Sequence, residues 1–208
     1  MSQLIKIGPY GPYIARALPQ LAYKPANAQN PMPDMALVNA GQGDARPKIK
    51  PNVPWPDTPS ISHWEGGAFV RVSQWVERAN NPVLSRADGV ALILMSHEDP
   101  ILLDGHLEGI GLIAIDFPRF SDGRGNSIAH SVRQRLGWRK EVRAVGDVLI
   151  DQLFFMARCG FDAFALRDGQ NVSRALASFN DFPYVYQDNV DRRPFVLQAR
   201  AQAQRVAA

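Results

Sequence analysis

Residues 90–95 read Val-Ala-Leu-Ile-Leu-Met and residues 112–117 read Leu-Ile-Ala-Ile-Asp-Phe, two nearly unbroken apolar runs of strand length. Shorter apolar runs follow at 142–145 and 161–166. Between and after these runs, apolar residues recur at the spacing of one helical face. Strands that alternate with helices about every 25 residues predict βα units on a mainly parallel sheet.

The predicted fold class is α/β, with a mainly parallel sheet of four or five βα units. The sheet is expected to be either open and flavodoxin-like or a partial barrel. Its strands are apolar throughout rather than alternating, which predicts helices on both faces. The remaining predicted elements are a strand at 69–72 and helices at 73–79, 98–108, 127–136, 148–159 and 171–181.

Proline divides the chain into a folded part and a long N-terminal arm. Residues 1–60 hold 11 of the 16 prolines, and proline removes the backbone donors that regular ladders need. We therefore predict a Pro-rich, largely irregular arm at 1–60 with one short strand at 4–7. An α/β domain is predicted at 61–188 and a basic C-terminal tail at 189–208.

Basic charge is concentrated at the two ends of the chain. Residues 61–188 hold 13 basic and 16 acidic side chains, so the folded part is slightly acidic and nucleic-acid binding is not expected. The run at 90–95 is too short to span a membrane, and no signal peptide is visible. The single cysteine excludes an internal disulfide. A cytoplasmic location is expected, and the oligomeric state is left open.

The loop that follows the run at 112–117 carries the clearest signal for a binding site. It contains Arg119, Asp122, Arg124 and Ser127 and leads into a predicted helix. A helix N-terminus offers free N–H groups and a positive dipole end, and arginines add bidentate contacts to an oxyanion. We therefore predict a small-oxyanion site here. The alternative is that Asp122 or Ser127 only caps the helix.

A second group of charged residues surrounds the strand predicted at 142–145. Arg143 lies in that strand and is a further candidate anion ligand, expected on the same sheet edge as Arg124. Asp147 and Asp151 are four residues apart, a spacing that suits acid/base catalysis or Mg²⁺ binding. Asp122 is the third candidate for acid/base catalysis. The alternative is that one of them caps a helix and the other pairs with Arg143.

The remaining motifs make cofactor and metal sites weak hypotheses. The four histidines do not share a metal-binding spacing, so no metal site is predicted. His97, at a strand end, is the best general-base candidate among them. Cys159 is expected to be a buried, inert thiol. The chain has neither a dinucleotide-binding fingerprint nor a P-loop, and the cofactor is left unknown.

Three segments in series resemble a known family. Residues 115–127 resemble its FPxFxDGRxxS segment, residues 141–152 its ElRAvGdvlxDQ segment and residues 160–164 its GFDaF segment. Residues 182–187, which end in Tyr-Gln, resemble the close of the family's sequence. Over residues 69–188 the chain therefore resembles the bacterial domain of unknown function 934 family.

The resemblance implies a role in sulfur assimilation. Members of this family are commonly encoded beside assimilatory sulfite reductase genes, and some carry an oxidoreductase label. The implied function is an accessory protein for sulfite or sulfate reduction, with sulfite reductase as a partner. Two alternatives stay open: a small α/β enzyme that uses the aspartates named above, and a partner-binding module without a ligand.

Overall fold

The computed structural model describes residues 3–8, 11–17, 63–64, 67–80, 89–182 and 184–190, with five further positions between 196 and 204. The strands are β1 (Gln3–Gly8), β2 (Gly11–Ala17), β3 (His63–Trp64), β4 (Gly67–Ala68), β5 (Val70–Arg71), β6 (Val90–Leu94), β7 (Ile110–Phe117), β8 (Glu141–Gly146) and β9 (Ala163–Ala165). The α-helices are α1 (Val72–Val76), α2 (Arg124–Gln134), α3 (Leu153–Cys159) and α4 (Val172–Ser178). Short 3₁₀ helices cover Arg78–Asn80, Pro100–Leu103 and Ile150–Gln152.

Seven of these strands form one open, mostly parallel sheet. Their order is β2-β1-β9-β8-β7-β6-β5, and β3 and β4 pair separately. The five strands β5 to β9 are parallel and lie side by side in chain order. The hairpin β1–β2 joins the β9 edge in antiparallel orientation. The α/β class and the parallel pairing of the four apolar runs are therefore confirmed.

The order of the parallel strands differs from the flavodoxin-like order. A flavodoxin-like sheet reverses direction after its first strands, whereas β5 to β9 never reverse. Each connection from one parallel strand through a helix to the next is right-handed. When every new strand is added on the same side of the previous one, all the connecting helices lie on one face of the sheet. The strand order therefore requires the helices between β5 and β9 to lie on one face of the sheet.

The helices α1 to α4 pack on one face of the sheet, whereas the apolar strands predict helices on both faces. One core cluster combines alternate strand residues such as Leu92, Ile113 and Phe164 with apolar residues of all four α-helices. The other strand residues, among them Ile93 and Ala114, form a second cluster to which no described helix contributes. These residues are also buried, which explains why the strands are apolar on both sides.

Several element boundaries differ from those predicted. The segment 98–108 forms only the 3₁₀ helix Pro100–Leu103, because Gly105 and Gly109 both have positive φ angles. Helix α2 begins at Arg124, three residues earlier than predicted, so both Arg124 and Ser127 lie on the helix. The segment predicted as one helix at 148–159 starts as the 3₁₀ helix and continues as α3.

The predicted strand at 4–7 is confirmed within β1, which is hydrogen-bonded to β2 and β9. Residues 18–60 of the predicted arm lie outside the described residues, as does most of the predicted tail at 189–208. The domain boundaries therefore stay predictions. None of the helices in the described part of the chain is long and apolar enough to cross a membrane.

Candidate functional site

The carboxyl ends of the parallel strands bring four loops to one edge of the sheet. In the ladders, Leu94 of β6 is level with Ile115 of β7, and Phe117 of β7 is level with Gly146 of β8. The loops after β6, β7, β8 and β9 therefore begin close together. Ligands of parallel α/β proteins bind at this edge, because the loops there can vary without disturbing the sheet.

Asp122 and Arg124 form the central ion pair of this edge. The Nε and Nη2 atoms of Arg124 donate to the two carboxylate oxygens of Asp122, each at 2.9 Å. Nη2 also donates to the Oγ of Ser96, at 3.1 Å, which ties the pair to the end of β6. The Asp122 side chain is only 4% exposed, whereas 43% of the Arg124 side chain is exposed. The aspartate therefore fixes a guanidinium that still reaches solvent.

The pair stays charged at neutral pH. Burial alone would raise the pKa of Asp122, but hydrogen bonds from Arg124 and Ser96 outweigh it, and the pKa lies below its usual 3.8. The hydrogen bond to Asp122 raises the pKa of Arg124. A carboxylate with a lowered pKa is a poor general acid, so this environment suits Asp122 as a partner that orients Arg124.

An open pocket of about 260 Å³ lies beside this pair, between the loop after β6 and the start of α2. Arg124, Ser127 and Ser131 line it from one face of α2, at helical spacings of three and four. The opposite wall includes Ser96, His97, Glu98 and Asp99. Glu98 is engaged by the backbone N–H of Met95 at 2.7 Å and by Arg71 at 3.3 Å. The three carboxylates of Asp122, Glu98 and Asp99 thus outnumber the arginines Arg124 and Arg71 by one, so an anion here depends on directed hydrogen bonds and not on net charge.

Gly125 lets α2 approach the sheet closely at this point. A Cβ atom at this position would lie 2.6 Å from Cζ of Phe117, the last residue of β7. A larger residue would therefore push the first turn of α2 outward. Glycine at this position places the helix N-terminus, and with it Arg124, directly over the strand ends.

Asp147 organises the neighbouring pair of loops. Its Oδ1 accepts a hydrogen bond from Arg167 at 2.9 Å, and its Oδ2 accepts one from the backbone N–H of Phe120 at 2.9 Å. Gln152 donates to the carbonyl of Phe120, while the Gln152 Oε1 atom is buried without a partner among the described residues. These contacts join the loops after β7, β8 and β9.

Arg167 is not among the predicted site residues. Its position directly after the apolar run at 161–166 is the sequence signal that could have identified it.

Arg143 is not brought together with Arg124. Its side chain is 2% exposed and lies on the sheet face opposite the helices, since it alternates with Val142 and Ala144 of the helix-covered core. It pairs with Glu141, the first residue of β8, at 2.6 Å, and Glu141 also accepts from Lys6 of β1 at 2.7 Å. An ion-pair network near the amino end of β8 is therefore the observed environment of Arg143. Glu141 is only two residues from Arg143, so a local pattern can indicate this pair, whereas the contact with Lys6 is distant along the chain and has no local signal.

The other predicted residues are scattered around the edge. Arg119 and Asp151 are exposed, and His97 is exposed in the wall of the pocket. Cys159 is buried, at 5% exposure. Within the described ranges, no group of three or more His, Cys, Asp or Glu side chains is placed to hold a metal ion. A catalytic role for Asp122, Asp147 or Asp151 stays a prediction.

The fold and the edge define an α/β protein whose parallel strands run in chain order and end in arginine–aspartate pairs. The model of a family described as bacterial protein of unknown function (DUF934) matches residues 91–196. This segment spans β6 to α4 and every strand-end loop described above. The chain belongs to this family. No curated protein and no solved structure matches the chain.

Proposed function

We propose that this protein binds a small oxyanion in the pocket beside Arg124 and acts as an accessory protein in assimilatory sulfite or sulfate reduction. The observation that carries the proposal is the half-exposed guanidinium of Arg124 at the first residue of α2. A helix start supplies backbone donors and a favourable dipole end for an anion. Ser127 and Ser131 of the pocket supply further donors.

The charge balance of the pocket favours recognition by directed hydrogen bonds rather than by net charge. Asp122 compensates Arg124, and Glu98 and Asp99 flank the pocket. A large polyanion such as a nucleoside triphosphate would be repelled by these carboxylates. A compact anion with three or four oxygens fits donors from Ser127 and Arg124 and from the backbone at the start of α2, whereas the Ser96 hydroxyl is engaged by Asp122 and Arg124. Sulfite, sulfate and phosphate are therefore the favoured ligands.

The sulfur-specific part of the proposal comes from the family. Genes of this family commonly stand beside those of assimilatory sulfite reductase, which makes a sulfur oxyanion the first ligand to test. Sulfite reductase is then the expected partner. In this account the protein binds or delivers the anion, and no redox group of its own is required.

Calorimetric titration tests the proposal with sulfite, sulfate and phosphate as three separate ligands. We expect binding to the native protein, with sulfite or sulfate binding more tightly than phosphate. The substitution Arg124→Gln should weaken binding at least about tenfold, since a charge-assisted hydrogen bond contributes about 1.5–3 kcal/mol. Arg174→Gln is the matched control, because Arg174 is exposed in the first turn of α4, away from the pocket.

A second variant separates binding from folding. Loss of Arg124 leaves the buried Asp122 carboxylate without its main partner and will lower stability. The double variant Asp122→Asn with Arg124→Gln keeps a neutral hydrogen-bonded pair and should remain folded by circular dichroism. If this folded variant binds the anions as tightly as the native protein, the proposed site is wrong.

A further inference from the structure

Exposed aromatic side chains form a surface on the outside of α3. Phe155 on α3 is 51% exposed, and Phe182, Tyr184 and Tyr186 of the following segment are 58%, 55% and 84% exposed. Four large aromatic side chains in water carry a solvation cost that a monomer normally avoids unless a partner covers them.

The segment 182–187, which carries three of these side chains, contacts α3 at both of its ends. Phe182 packs edge-on against Phe154, with ring centroids 5.2 Å apart. Arg158, one turn further along α3, donates a hydrogen bond to the carbonyl of Gln187. Between these two contacts, Val185 is buried at 5% exposure while Tyr184 and Tyr186 point outward. The aromatic surface is thus held in place by contacts of its own segment and of α3.

Among the described residues around the aromatic surface, three exposed carboxylates outnumber the single arginine, Arg158. Asp181 precedes Phe182, Asp188 follows shortly after Tyr186, and Asp151 lies four positions before Phe155; all three are exposed. Neither Asp151 nor Asp181 forms an ion pair with a described residue. Carboxylates beside exposed aromatic faces are the complement of arginine, whose guanidinium stacks on a ring and donates two parallel hydrogen bonds to a carboxylate at its edge.

We propose that the surface formed by Phe155, Phe182, Tyr184 and Tyr186 docks a protein partner that presents arginine side chains. Aromatic residues on one side and arginine on the other are the residue types that dominate binding energy at protein interfaces. This surface contains none of the residues assigned to the oxyanion pocket. It therefore stands whether or not the pocket binds an anion.

Fluorescence anisotropy tests the proposal with three labelled peptides of equal length, built from glycine with arginine, lysine or aspartate. The full chain should bind the arginine peptide at least about threefold more tightly than the lysine peptide, because a lysine ammonium stacks less well on a ring. It should not bind the aspartate peptide. The double variant Tyr184→Ser with Tyr186→Ser should weaken binding of the arginine peptide about fivefold or more.

The control is Leu102→Ser, since Leu102 is 51% exposed on the 3₁₀ helix Pro100–Leu103, outside the aromatic surface. This variant should bind the arginine peptide as the native protein does. Equal binding of the arginine and lysine peptides, or an unchanged affinity in the tyrosine double variant, would overturn the proposal. So would sedimentation showing a dimer that the tyrosine double variant dissociates, because the occupant would then be a second copy of the chain.

Discussion

Replacing Arg133 by alanine is expected to lower the free energy of unfolding by about 3 kcal/mol or more, which is the largest effect among the variants considered. Arg133, in the last turn of α2, donates to the carbonyls of Gly160 at 2.8 Å, Trp138 at 3.1 Å and Lys140 at 2.7 Å. It also pairs with Asp162 at 2.9 Å. Its loss leaves these acceptors without the donor that joins α2 to the amino ends of β8 and β9.

Asp162 makes this loss more severe. Burial is the main cause that raises the pKa of Asp162, and the charge of Arg133 partly offsets it. Without Arg133, the ionised carboxylate near the start of β9 is stabilised less. Urea unfolding measures the effect, and Arg135→Ala, two positions further on and exposed, should change stability by at most about 0.5 kcal/mol. Similar losses in the two variants would contradict this account of Arg133.

The second large effect is expected for Gly125→Ala. The new Cβ would lie 2.6 Å from Cζ and 2.8 Å from Cε1 of Phe117, whose ring is buried at the end of β7. Overpacking of this kind costs about 1–3 kcal/mol. Thermal or urea unfolding should therefore show a clear loss of stability, and the start of α2 should shift away from the strand ends.

Gly123→Ala provides the matched control two residues earlier. A Cβ at Gly123 meets no heavy atom within 4 Å, and its φ of −75° suits any residue, so stability should change by at most about 0.5 kcal/mol. Combining Gly125→Ala with Phe117→Leu should cost less than the two single changes added together, because the smaller side chain relieves the overlap. Strict additivity of the two changes would show that the contact does not cause the loss.

The apolar runs predicted the strands well because a strand buried on both faces requires an unbroken apolar sequence. Which side the helices occupy is set by strand order, and the runs at 90–95 and 112–117 carry no record of that order. The predicted helix at 98–108 is limited to the 3₁₀ helix Pro100–Leu103, because the positive φ of Gly105 interrupts a helical backbone. Local apolar patterns therefore identify elements better than they identify layers.

The candidate site also combines residues that a local pattern predicts with contacts between distant residues that it does not. Asp122, Arg124 and Ser127 lie within six residues of one another, so a single loop motif predicts them. Arg124 is joined to Ser96 through a hydrogen bond that spans 28 positions, and no local pattern predicts it. The sequence prediction places Arg143 with Arg124 because the loops at the strand ends are expected to converge on one edge. Its actual partner, Glu141, is only two residues away on the same strand face.

The most direct test of the central claim is a titration of the native protein with sulfite, followed by the backbone amide signals in ¹H–¹⁵N spectra. The account predicts saturable shifts for Gly125, Asn126 and Ser127 at the start of α2, accompanied by Ser96 across the pocket. Amides around Arg143, near the amino end of β8, should stay unchanged and serve as an internal reference. Saturable shifts centred on Arg143, or no shifts at the start of α2, would contradict an oxyanion site beside Arg124.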